Sequence, residues 1–216
     1  MSASVNAHLV RAPVRAGQPL GRARMACVLL HGRDQDESVM LDVAERLRLD
    51  DVSYLLPVAA QHSWYPGRYF DRREENEPHL GWSIEACEAA LAAARSAGVG
   101  DERTVVGGFS QGACVVAEWL ASRPRRFAGA AVLTGSLLGP PNEWITPARA
   151  DGLRMFFAVS RYDEWVALED AKATARAFER SGATVAFEVH DDRVHHINDR
   201  AVGGLRALLS AGSEML

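Results

Sequence analysis

The chain has 216 residues, 48% hydrophobic and 24% charged, the balance of a globular protein with one sizeable core. A net charge of −4, with arginines interleaved among acids, provides no basic excess to meet phosphates and argues against a nucleic-acid partner. No apolar run approaches the length of a membrane span, and Met1 to Asn6 lack the basic-then-apolar pattern of a secretory signal.

In chain order, residues 1–24 form a weakly patterned N-terminal segment. Within it Ala7-His8-Leu9-Val10 predicts a short edge strand, with a turn near Gly17-Gln18-Pro19. The continuous apolar run Met25–Leu30 predicts a strand buried on both faces, ending at His31-Gly32. Val39, Met40, Val43, Ala44 and Leu47 stand at helical spacing and predict a helix over 36–48. Val52–Leu56 is the next strand, stopped by Pro57. Residues 58–80 then form a long connection carrying Trp64, Tyr65, Tyr69 and Phe70, and a loop of that length in a compact domain is usually functional. A helix opens at His79 or Ser83 and runs to about Ala97, with Gly98 and Gly100 ending it.

Arg103–Val106 predicts a strand and Ala113–Leu120 a helix that continues to about Ser122. Phe127–Leu133, Met155–Val159 and Thr184–Val189 predict further strands, Val166–Ser181 a helix, and residues 197–210 the terminal helix. Strands alternating with helices imply one α/β domain over 1–216, with a mainly parallel central sheet covered on both faces. Ligands of such a sheet bind beyond the C-terminal strand ends. Cys27, Cys87 and Cys114 are far apart and each lies in an apolar stretch. They predict buried, reduced thiols and, without an export signal, the cytoplasm.

Between the Arg103–Val106 strand and the following helix lies Gly108-Phe109-Ser110-Gln111-Gly112, which fits G-x-S-x-G in its strand–turn–helix setting. A Cβ at either flanking glycine would collide with the neighbouring strand or helix, and Ser110 sits at a helix N-terminus, where the dipole favours developing negative charge. A serine nucleophile needs a base within hydrogen-bonding reach, and the base needs an orienting acid. In this architecture the acid follows a strand downstream of the serine, and the histidine follows the last strand. Asp163 holds the first place, with Glu164 in reserve; Asp151 comes before the strand. For the base, His195 and His196 are both well placed, whereas His190 ends the strand and comes too soon. Oxyanion donors belong at the backbone N–H of Gln111 and in the turn Gly32-Arg33. Neither His31 nor the His195-His196 pair has partners at metal-ligand spacing, so no metal site is expected.

These residues resemble the carboxylesterase/phospholipase family of α/β-hydrolases, which includes acyl-protein thioesterases. The resemblance spans most of the chain from residue 25. Leu29-Leu30-His31-Gly32-Arg33 is similar to the family's Leu-His-Gly oxyanion strand, and Gly108-Phe109-Ser110-Gln111-Gly112-Ala113 to its nucleophile motif. Leu133-Thr134-Gly135-Ser136 resembles its Leu-Ser-Gly segment, and Ser63-Trp64-Tyr65-Pro66 with Asn76-Glu77-Pro78 resembles a bacterial branch of small esterases. The family's Gly-x-x-Asp-x-x-Val-Pro stands here as Ser160-Arg161-Tyr162-Asp163-Glu164-Trp165-Val166-Ala167, without the glycine and the proline. Its Gly-His-Glu-Ile stands as Val194-His195-His196-Ile197, which aligns His195 with the base.

The resemblance implies an α/β-hydrolase fold with little or no lid and a cofactor-free serine hydrolase acting on a small-molecule carboxylic ester. It implies catalysis by Ser110, Asp163 and His195, and an oxyanion hole from the N–H groups of Arg33 and Gln111. His31, Gly32, Trp64 and Tyr65 are the expected substrate-binding residues, although the aromatics of that loop have nearly equal reason to pack it down. Lysophospholipids, acyl-proteins and lactones are the alternative substrates, a non-catalytic binding protein is the alternative class, and a homodimer is left open.

Overall fold

A computed structural model of the chain describes residues 5–123 and 125–211. The first four residues of the weakly patterned segment, and 212–216 at the end of the 1–216 domain, lie outside the described residues.

Strand β1 (Val14–Gly17) is followed by β2 (Met25–Leu30), helix α1 (Glu37–Leu47), β3 (Val52–Leu56), α2 (His79–Ser96) and β4 (Thr104–Phe109). Helix α3 (Gln111–Ser122), β5 (Gly129–Leu133), β6 (Arg154–Ser160), α4 (Leu168–Arg180), β7 (Thr184–His190) and α5 (Asp199–Ala211) complete the order. The strands make one seven-stranded sheet, β1-β3-β2-β4-β5-β6-β7, in which β1 is antiparallel and the rest are parallel. The apolar runs of β2, β3, β4 and β5 are buried at every residue, as strands covered on both faces must be.

Helices α1 and α5 cover one face. Met40, Val43, Ala44 and Leu47 of α1 and Val202, Leu205 and Leu209 of α5 pack there against Met25, Cys27, Leu29 and Phe156. Helices α2, α3 and α4 cover the other, against Val28, Leu30, Val106, Val132 and Phe157. Local signals set the helix ends. Asp36 caps α1 by accepting the Ser38 N–H at 2.9 Å, and Gly98, at φ +86°, turns the chain out after α2.

The N-terminal segment corrects one expectation. Ala7–Leu9 is a short 3₁₀ turn, not an edge strand, and the edge place belongs to β1, paired with β3. Asn6 stops the segment from extending, because its side chain accepts the His8 N–H at 2.9 Å. His8 then turns inward: its Nδ1 accepts the Ala60 N–H at 2.9 Å and its Nε2 donates to the Trp64 carbonyl at 3.1 Å. The segment therefore braces the 57–78 connection. Helix α4 also begins two residues later than the apolar spacing predicts, at Leu168, because Val166 and its N–H are engaged in the loop before it.

The chain turns to one side after β2 and to the other after β4, so the connections leaving these two paired strands part at their C-terminal ends. Gly32-Arg33, Ser110, Asp163 and His195 follow β2, β4, β6 and β7, all at that end of the sheet.

Candidate active site

Ser110 occupies the turn between β4 and α3 with φ +54° and ψ −120°, a region that a non-glycine residue enters only when its surroundings hold it there. The holding contacts are visible. The Ser110 N–H donates to the Leu133 carbonyl of β5 at 3.0 Å, and the Ser110 carbonyl accepts the Cys114 N–H at 3.1 Å, opening the helix. Both flanking glycines are needed for space: a Cβ at Gly108 would meet the Gly112 carbonyl, and one at Gly112 would meet the His31 and Leu30 carbonyls of β2 and its turn.

The Ser110 hydroxyl reaches His195 Nε2 at 2.8 Å, and His195 Nδ1 reaches Asp163 Oδ2 at 2.8 Å. Nδ1–H donates to the carboxylate, which leaves Nε2 to accept the serine proton. Asp163 Oδ1 accepts the Trp165 and Val166 N–H groups at 2.9 Å each, so the carboxylate is held at both oxygens. Burial by itself would push the Asp163 carboxyl up. The His195 hydrogen bond and the two backbone donors outweigh it and hold the group below the usual carboxylate range. The Asp163 side chain is 1% exposed and that of His195 18%. Phe109 packs beneath the imidazole, ring centroids 4.8 Å apart.

The histidine loop is tied to β6 where the family motif has glycine. Buried Ser160 donates its hydroxyl to the Val194 carbonyl at 3.0 Å, and the Arg161 N–H donates to the His190 carbonyl at 2.7 Å. The loop thus keeps its place without the two missing glycines.

The competing residues stand elsewhere. His196 is exposed, with Nδ1 on the Val194 carbonyl at 3.0 Å. His190 ends β7, buried, with both ring nitrogens unpartnered among the described residues, and burial pushes its pKa down. Glu164 is exposed. Asp151 precedes β6, at the opposite end of the sheet, where it pairs with Arg149.

In the turn after β2, the Gly32 N–H is already used, donating to Gln35 Oε1 at 2.8 Å. The N–H groups of Arg33 and Gln111 have no hydrogen-bond partner among the described residues. The Arg33 side chain turns away to the 57–78 connection, donating to the carbonyls of Tyr65 at 3.1 Å, Pro66 at 3.0 Å and Gly67.

His31, Trp64 and Tyr65 lie inside the protein rather than at the site's mouth. His31 donates from Nδ1 to the Gly32 carbonyl at 2.7 Å and accepts the Ala59 N–H at Nε2 at 3.1 Å. Trp64 is 0% exposed, and its indole N–H donates to the His31 carbonyl at 2.8 Å. Tyr65 is buried in the same cluster. Tyr69 accepts the Ala167 N–H at 3.2 Å and donates to Asp170 at 2.8 Å, joining the connection to the start of α4. The aromatics beside His195 are instead Phe109 and Trp165, the latter 58% exposed. Phe109 was legible as the x of G-x-S-x-G; Trp165, next to the expected acid, carried no periodic signal.

Among the described residues no cluster of histidine, cysteine and acidic side chains is arranged to hold a metal ion. The three cysteines are free and buried, and burial pushes the Cys114 thiol up to about 11. No described helix is long and apolar enough to cross a membrane.

A sequence model of the family described as Phospholipase/Carboxylesterase matches residues 16–211. Among solved structures, a phospholipase/carboxylesterase from Dyadobacter fermentans superposes with a TM-score of 0.84 at 24% identity, over 92% of this chain and 96% of that one. A Bacillus cereus carboxylesterase gives 0.72 at 20% identity, over 93% of each chain. A Mesorhizobium loti carboxylesterase gives 0.71 at 21% identity, over 88% and 91%. At these identities the superpositions speak for the fold. No curated protein matches.

Proposed function

Since the chain belongs to the phospholipase/carboxylesterase family of α/β-hydrolases, we propose that it cleaves carboxylic esters with Ser110 as nucleophile, His195 as base and Asp163 as orienting acid. The observation that carries this is the unbroken chain of hydrogen bonds from Asp163 through His195 to Ser110, 2.8 Å at each step, ending on a serine with strained backbone.

The chemistry follows from that order. As Ser110 Oγ attacks the ester carbonyl, its proton passes to His195 Nε2, and the imidazolium is stabilised by the Asp163 carboxylate at Nδ1. The carbonyl oxygen gains negative charge facing the N–H groups of Arg33 and Gln111, at the N-terminus of α3. Each such donor is worth about 10²–10³ in rate in comparable sites. His195 returns its proton to the departing alcohol, leaving an acyl-serine. Water deprotonated by His195 then releases the acid and regenerates Ser110. Among the described residues no helix beyond α1–α5 and short 3₁₀ turns is present to form a broad apolar lid, which favours small or medium acyl groups over emulsified lipid.

The test is labelling by a fluorophosphonate probe, together with hydrolysis of a p-nitrophenyl ester series. Labelling of the wild type that disappears in Ser110→Ala supports the reading. An unlabelled, inactive wild type would leave the chain a hydrolase fold without its chemistry.

A further inference from the structure

We propose that Trp165 is a specificity-determining wall of this site, selecting esters whose leaving alcohol is flat and apolar, as in aryl esters. The inference rests on the serine-hydrolase reading above. Tyr162, Trp165 and Val194 stand 51%, 58% and 58% exposed on the two loops that carry Asp163 and His195. The Arg193 guanidinium lies over the Tyr162 ring at 4.6 Å, so that ring already has a partner. The aromatic neighbour of the Trp165 indole is the His195 imidazole, centroids 6.3 Å apart and tilted 54°. A large apolar surface left in water beside a reacting histidine contributes little to folding and is placed to meet a ligand.

Its backbone is anchored. The Trp165 N–H is bound to Asp163 Oδ1, and Val166, next in the chain, is buried. The point from which the indole projects is therefore fixed beside the residue that orients His195.

The direction of the reaction tells which part of the substrate meets it. The carbonyl oxygen faces Arg33 and Gln111, after β2 and at the start of α3. The bond from Ser110 Oγ to the carbonyl carbon forms while the bond to the alcohol oxygen breaks. That oxygen takes the bond's electron pair and the proton held at His195 Nε2. It must lie against His195, and the group attached to it emerges on the Trp165 side.

The experiment compares Trp165→Ala and Trp165→Phe with wild type on 2-naphthyl acetate, 2-naphthyl butyrate and ethyl acetate, with a thermal melt of each protein. In Trp165→Ala the naphthyl-to-ethyl ratio of kcat/KM for the acetates should fall about tenfold, mainly through KM, and Trp165→Phe should restore most of it. The acetate-to-butyrate ratio at constant naphthyl leaving group should stay put. If both acetates lose equally, or the acyl ratio moves instead, the leaving-group assignment is overturned while the serine-hydrolase reading stands. If the wild type hydrolyses none of them and Ser110 takes no fluorophosphonate, that reading falls and this one with it.

Discussion

The side-chain carbonyl of Gln111 accepts the Trp64 backbone N–H at 2.9 Å, and the Gln111 amide donates to the Tyr65 carbonyl at 2.7 Å. The residue after Ser110 thus binds the long 57–78 connection, while its own N–H has no hydrogen-bond partner among the described residues. Arg33 repeats the pattern from the other side of the site, its guanidinium holding the carbonyls of residues 65–67. The two N–H groups proposed for the oxyanion belong to residues whose side chains, together with those of His8 and Ser83, fasten this connection.

Gln111→Ala should therefore destabilise the fold. It strands the buried Trp64 N–H, at about 1–3 kcal/mol for a buried group left unpaired, while the Tyr65 carbonyl keeps the Arg33 and Ser63 donors. Urea unfolding of the variant should show a lower midpoint at unchanged slope. An unchanged midpoint would mean that the connection is held without this bond.

Ser110→Ala and His195→Ala should be equally damaging, each lowering kcat on p-nitrophenyl esters by at least about 10³, because the pair acts as a unit. His196→Ala should stay within about threefold of wild type, since that exposed ring is hydrogen-bonded to the Val194 carbonyl and not to Ser110 or Asp163 among the described residues. Loss of activity in His196→Ala with survival in His195→Ala would reverse the assignment.

Asp163 should make stability pH-dependent in a stated direction. Its carboxyl is held below the ordinary range in the folded chain, so its contribution is present above the unfolded value and is lost as pH falls through the depressed one. The stability gap between wild type and Asp163→Asn should be widest near neutrality and narrow below about pH 4. Thermal melts across that range decide it, and a gap that does not change with pH would rule the linkage out.

Trp64→Ala should cost about 3–5 kcal/mol, as removal of a fully buried tryptophan does. Its melting temperature should drop sharply while preference across acyl chain length is unchanged. A shifted preference at an unchanged melting temperature would put Trp64 back in the substrate wall.

The alternation of buried strands and amphipathic helices, the G-x-S-x-G turn and the placement of an aspartate and histidines after later strands were all legible in the residues. Each is a local signal: a run such as Met25–Leu30 is apolar because both its faces are covered, and Gly108 and Gly112 are glycine because a Cβ there would strike backbone. The edge-strand expectation for Ala7–Val10 failed for the opposite reason. Short apolar runs carry little periodicity; Asn6 closes this one into a turn, and the bonds that hold the turn in place run from the His8 ring to Ala60 and Trp64, far along the chain.

By itself the sequence determined the α/β architecture and the narrow set from which a nucleophile, an acid and a base could be drawn, because backbone geometry and burial are written in local residue patterns. The residue pattern left His195 and His196, and Gly32 and Arg33, open, and the choice of His195 and Arg33 came from the family resemblance; the tertiary structure hydrogen-bonds His195, not His196, to Ser110 and occupies the Gly32 N–H with Gln35. Adjacent residues at a strand end share their sequence context yet point in different directions. Only the tertiary structure sent Trp64 and Tyr65 into the core and left Trp165 beside the imidazole. An aromatic in a loop has no period to reveal its direction, and its environment is made by segments distant in the chain.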